Sequence, residues 1–320
     1  MFGFLGDIGS AIMTPLYYAV SAVLIAWHNV VDRIPGISDG WVWVLSIVGL
    51  TVTIRTLLIP LFVKQIKSSR NMQLLQPQIR ELQKKYAHDR EKLTQEQMKL
   101  WKETGTNPFA SCLPILAQMP VFFALFRVID QAAKAKPDSL ETGVRGFFNV
   151  DYVRSLQDAT IFNAKIADTF QSTDLLEVRI LAAALVVIMC ATQFTTQRQL
   201  MSKNMPADAL SGPYAQQQKM LLYILPFVFA ISGVLFPVGV LVYWVTTNLW
   251  TMGQQFYVIR NNPAPGTPAF KAKQDRDKKH GKNVVEDPLK DLETPQEKPK
   301  PRQQPKKQTR DQRKKKGGQR

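Results

Sequence analysis

Apolar runs of about twenty residues recur along this chain, at 41–63, 109–131, 178–197, 219–236 and 237–259, with charged stretches between and after them. An average over the chain hides this segregation: the mean hydropathy of −0.12 is that of a soluble protein. Runs of this length predict membrane-crossing helices, because only helices and closed barrels satisfy their backbone groups in lipid. A barrel would show short alternating segments, and none is present in the sequence. A sixth run, 11–31, is apolar except for Thr14, Ser21 and His28, which recur every seven residues on one helical face. It is read as a helix at the outer interface, with an additional span as the alternative.

The polar stretches give the runs a direction. Residues 65–107 carry nine Lys/Arg against five acids, and 198–219 carries three against one. The stretch 134–177 has five Lys/Arg and seven acids. By the positive-inside rule, 65–107 and 198–219 lie in the cytoplasm, while 134–177 and the residues before Trp41 lie outside. Met72, Leu75, Ile79, Leu82 and Tyr86 form a stripe at helical spacing, and Thr94 with Gln97 reads as a capping box. Residues 65–107 are therefore expected to form a helical hairpin. From 261 to 320 there are 18 Lys/Arg, eight acids and many Pro and Gln, which predicts a disordered, basic cytoplasmic tail. The domains expected are 1–40, a core at 41–260 and the tail at 261–320.

One residue does not fit a plain lipid-spanning helix. Arg55 lies within the run 41–63, and the run has no acid to pair with it. An arginine at the bilayer centre costs ~2.5–3.5 kcal/mol on insertion scales and cannot deprotonate. It either snorkels to the interface or faces a wet, polar pocket. Thr192, Gln193 and Thr195–Gln197 cluster at the end of the third run, and Trp244, Thr246, Thr247 and Asn248 lie in the fifth. Pro114 and Pro120 interrupt the second run, where they kink a helix and free carbonyls. Cys112 and Cys190 sit in apolar surroundings and read as small buried hydrophobes, and the three histidines have no metal-ligand spacing. No acid/base or metal constellation is present, so enzyme chemistry, cofactors and metals are not expected.

Four stretches carry a resemblance: IRTLLIPL at 54–61, MQLLQPQIRELQKKY at 72–86, NPFASCLPILAQMPVFFALFRVI at 107–129 and FPVGVLVYWVTTNLWTMGQQ at 236–255. With the order of the runs, the chain from Trp41 to about Arg260 resembles the YidC/Oxa/Alb family of membrane protein insertases. The N-terminal helix, the Lys-rich tail and the lack of a cysteine near the start are most similar to its actinobacterial branch. The resemblance implies an all-α protein with five conserved transmembrane helices around a hydrophilic groove, open to cytoplasm and lipid and closed outside. It implies an insertase and chaperone in the bacterial plasma membrane, without hydrolysis or cofactor. Its groove arginine falls on Arg55, with polar partners on Gln193 and Trp244; Gln197, one turn from Gln193, and Thr247 belong to the same candidate site. Nascent membrane proteins would be its substrates, and the hairpin and basic tail would meet them, the ribosome and the Sec translocon. The physical alternative is a solute transporter or channel using Arg55 as an anion site. It would call for intramembrane carboxylates and inverted repeats; no repeat is found, and with the second span read as 109–129 no Asp or Glu lies inside the spans.

Overall fold

The fold is a computed structural model that describes residues 2–107, 113–172, 174–205, 213–284 and 286. It is built almost wholly of helices. Helix α1 (Phe2–Val31) is followed by α2 (Asp39–Leu57), α3 (Ile59–Leu74), α4 (Gln76–Lys85) and α5 (Arg90–Glu103). Helix α6 (Leu113–Lys134) leads into a short 3-10 segment at Pro137–Gly143, helix α7 (Val150–Asp158) and a two-strand hairpin, β1 (Thr160–Ile161) and β2 (Ala164–Lys165). Then come α8 (Leu176–Lys203), α9 (Pro213–Gly233), α10 (Val238–Asn261) and α11 (Pro268–Lys279). The basic segment after 286 and the motif residues Pro108–Cys112 lie outside the described residues.

Helix α10 is the hub. It packs along α8 and α2 and also meets α6 and α11, whereas α9 packs mainly on α8. The outward faces are not those of a soluble bundle. Leu57, Leu116, Ile180, Val187, Phe227 and Ile231 are all exposed, each by more than half of its surface. So large an apolar belt marks a surface made for something other than water. Among the described residues two helices, Asp39–Leu57 and Leu176–Lys203, are long and apolar enough by length and composition to cross a membrane.

The core sits at one end of the bundle. Trp43, Ile47, Leu50, Leu125, Ile129 and Tyr243 are buried there together with Phe148, Leu156 and Ile166 from the segment between α6 and α8. The sequence reads that segment only as a loop, but it folds into a cap. Its α7 turns Val153 and Leu156 into the core, and Ser155 Oγ accepts a hydrogen bond from Trp43 Nε1 at 3.0 Å. The β-turn is made by Phe162 and Asn163, both at positive φ, as tight hairpins require. The cap also serves α10. The N–H groups of Val238 and Gly239 donate to the carbonyls of Asp168 and Ile166 at 2.9 and 3.0 Å, satisfying donors that a helix N-terminus leaves orphaned.

Several boundaries differ from the sequence reading. The run 41–63 is not one helix. It breaks at Leu58, because Pro60 removes the N–H that would bond to Thr56. Helices α4 and α5 pack on each other, and α5 opens at Asp89, whose carboxylate accepts from the Lys92 N–H at 3.0 Å. Thr94 lies inside the helix and bonds back to the Arg90 carbonyl. Residues 268–279, expected to belong to a disordered tail from 261, form helix α11. Thr267 caps α11, Pro268 occupies its first turn, and Phe270 is buried. One apolar anchor and a cap outweigh the hydrophilic composition of residues 268–279.

Candidate functional site: a buried polar cluster between α2 and α10

Arg55 lies in the last turn of α2 and is only 6% exposed. It is buried because Ile47, Thr51 and Arg55 share the inward face of α2 at four-residue spacing. Beyond the break at Leu58, α3 brings Phe62 under the guanidinium, 5.5 Å from ring centroid to Cζ. That contact is worth ~0.5–2 kcal/mol. From α10, Tyr243 interacts electrostatically with the guanidinium. Among the described residues no carboxylate pairs with Arg55, and its Nε has no hydrogen-bond partner. A buried cation with neither an ion pair nor full hydrogen bonding is costly, and chains that retain one put it to use.

Other polar groups converge here. Gln118 of α6 donates through Nε2 to the Tyr243 hydroxyl, while its Oε1 is buried without a partner. Thr247, one turn from Tyr243, is buried with an unsatisfied hydroxyl. Arg55, Gln118, Tyr243 and Thr247 thus bring spare donors and acceptors from three helices to one level of the bundle. Beneath them lies a cavity of about 620 Å³ between α3 and α10, lined by Ile59, Phe62, Val63, Leu249, Trp250, Gln254 and Tyr257 among others. Phe62 belongs to both, lying under the Arg55 guanidinium and lining the cavity.

The sequence-expected residues separate into two groups. Arg55 and Thr247 belong to the cluster. Trp244 does not present itself as a polar partner: it lies in an aromatic nest, with Phe229, Phe122 and Phe236 centroids 4.8, 5.3 and 5.6 Å away. Tyr243, its neighbour, takes the inward position. Gln193 and Gln197 are half-buried on α8. Gln193 lies one turn beyond Met189, whose carbonyl accepts from Asn248 of α10 at 3.3 Å. Gln118 and Tyr243 were missed. The signal for Gln118 was in the sequence: it is the one amide between Pro114 and Pro120, in an apolar stretch.

A helical bundle with an apolar outer belt and a buried arginine fits a membrane protein. Residues 36–265 match the family described as 60Kd inner membrane protein. A protein of Streptomyces avermitilis named membrane protein insertase YidC is 49% identical over 270 residues, which cover 82% of this chain and 61% of the relative. The YidC of Tropheryma whipplei is 36% identical over 86% of this chain and 92% of its own length. That of Mycobacterium tuberculosis is 35% identical over 76% and 72%. A solved structure of an active YidC insertase with its first transmembrane domain resolved is similar over 75% of this chain and 46% of its own, at 23% identity and a TM-score of 0.44. The chain belongs to the YidC family of membrane protein insertases, on its actinobacterial branch, and is a bacterial inner membrane protein.

Proposed function

We propose that the chain inserts hydrophobic segments of nascent proteins into the bilayer through a groove formed by the Arg55 cluster and the cavity below it. The observation that carries this reading is a buried arginine without an ion pair, lying over Phe62, a residue that also lines the cavity between α3 and α10. A substrate helix must bring a polar flanking tail through hydrocarbon. A wet hollow reaching partway across shortens that low-dielectric path. Arg55 attracts acidic groups in the tail by a few kcal/mol, about 4 at close approach and intermediate dielectric. The apolar flanks of the cavity then offer the substrate's hydrophobic segment a way into lipid.

In this reading five helical segments cross the membrane: α2 with the start of α3, then α6, α8, α9 and α10. The cap of α7 and the β-hairpin lies outside, and the α4–α5 hairpin and α11 lie in the cytoplasm. Helix α1 lies along the outer interface. Its polar line turns towards the cap, with Ser21 Oγ accepting from the Phe147 N–H and His28 packed on Trp43 and Tyr152. Gln193 and Gln197 extend the polar lining along α8 towards the cytoplasmic mouth, and Trp244 shapes its apolar wall. The residues after 286 supply a basic arm for ribosomal RNA, which Lys314–Lys316 would bind by counterion release. The Sec translocon would act beside this chain for larger substrates.

The test is reconstitution of this chain alone in liposomes with a short, single-span, coat-like substrate bearing an acidic translocated tail. Protease protection of that tail, above the level of empty liposomes, is the expected result. Protection no greater than in empty liposomes refutes the reading.

A further inference from the structure

A second cavity, about 380 Å³, lies where the C-terminal ends of α8 and α10 meet α11. Lys203, Arg260 and Arg276 line it, with Phe256 and Ile259 forming an apolar wall and Ala272 leaving room on the α11 side. None of its lining residues is acidic. Among the described residues none of the three cations makes an ion pair. Two hydrogen bonds between side chains and backbone frame the pocket. The Asn204 side chain accepts from the Ala264 N–H at 2.9 Å, tying the linker before α11 to the end of α8. Arg276 donates to the Arg260 carbonyl at 2.5 Å, fixing one guanidinium at the rim. The first turn of α11, positive by the helix dipole, borders the same space as the negative C-terminal ends of α8 and α10, so the net positive charge of the pocket comes from its side chains.

Three uncompensated cations beside an apolar wall fit an amphiphilic anion. We propose that this pocket is a binding site for a phosphate ester, specifically the headgroup of an anionic phospholipid. Guanidinium groups fork onto phosphate oxygens, while Phe256, 55% exposed, lies against the glycerol and acyl chain. The site lies apart from the Arg55 cluster, and its placement at the cytoplasmic interface rests on the topology proposed above.

The full chain in a nonionic detergent is titrated with phosphatidylglycerol or phosphatidylcholine and bound lipid is counted by native mass spectrometry, a measurement independent of topology and of insertion. The wild type should retain phosphatidylglycerol over phosphatidylcholine. Each of Lys203→Gln, Arg260→Gln and Arg276→Gln should weaken retention roughly fivefold, from ~1 kcal/mol per cation. The pair Arg260→Lys with Arg276→Lys keeps the charge and most of the binding, which separates loss of charge from loss of fold. Competition by millimolar inorganic phosphate at this site would assign the same chemistry to free phosphate. Equal retention by the wild type and a folded triple Gln variant overturns the site. So does dependence on the three cations for an RNA oligomer and not for phosphatidylglycerol. A chain that binds the lipid but protects no substrate tail keeps this site and loses the proposed function.

Discussion

At the scale of single residues, Arg55 sets the chemistry, and its effect should depend on the substrate. Arg55→Ala is expected to lower insertion of substrates with acidic tails by about tenfold, a loss of ~1.4 kcal/mol. That is only part of the attraction available at intermediate dielectric. Neutral-tailed substrates should be unaffected, and Arg55→Lys should retain most activity because the charge remains. Protease protection of matched substrates in liposomes checks all three, and equal loss for neutral tails would make Arg55 a structural residue. Tyr243→Phe removes the acceptor for Gln118 and leaves a second buried polar atom unpaired beside Oε1. It should cost ~1–3 kcal/mol of stability, read as a lower thermal midpoint in detergent. The charge of Arg55 was legible in the sequence because an isolated arginine in an apolar run has few explanations. Its neighbours were less so. Periodicity puts Tyr243 and Trp244 in the same run, but only the packing of α10 on α2 decides which of them turns inward. Gln118 is a single amide whose meaning depends on a partner 125 positions away.

At the scale of elements, close approaches of backbone decide where the helices can sit. A Cβ on Gly40 would lie 1.9 Å from the Thr160 carbonyl oxygen, so α2 meets β1 where no side chain fits. Gly40→Ala should lose about 3 kcal/mol or misplace the cap. Gly253, on the cavity wall of α10, has nothing within 4 Å. There alanine should stabilise the helix by ~0.5–1 kcal/mol. Opposite shifts in thermal midpoint are the expected pair, and shifts of the same sign would contradict this packing. Asp168, whose carbonyl receives the Val238 N–H, has its carboxyl raised above the usual range by burial, with Lys165 opposing. A raised acid favours the folded state while protonated. Stability should therefore fall as pH rises from the unfolded to the folded pKa, then level off, and Asp168→Asn should remove that step. Thermal unfolding across acidic pH measures it. The helices were read well because sustained apolar runs are strong signals. The cap was not, because β1 and β2 are two residues each and α7 is stabilised by contacts with Trp43, more than a hundred positions away.

At the scale of the whole molecule, the first part of the basic C-terminal stretch belongs to the folded bundle. Composition alone merges residues 261–320 into one basic stretch, because Lys and Gln outnumber apolar residues throughout. A single phenylalanine at 270 and the cap at Thr267 turn the first part into a packed helix against the ends of α8 and α10. Removing everything after 264 therefore cuts into the folded unit. It deletes α11, exposes the end of α10 and dismantles the pocket of Lys203, Arg260 and Arg276. Removing only the residues after 286 leaves those contacts in place. The shorter truncation should retain the thermal midpoint and insertion by the purified chain, while ribosome co-sedimentation weakens in a salt-dependent manner. The longer one should lower the midpoint as well. If both truncations leave the midpoint unchanged, α11 contributes nothing to the fold. If the shorter one leaves co-sedimentation intact at low salt, ribosome contact belongs to the α4–α5 hairpin instead. That hairpin is the other basic surface in the sequence, with nine Lys/Arg against five acids across 65–107.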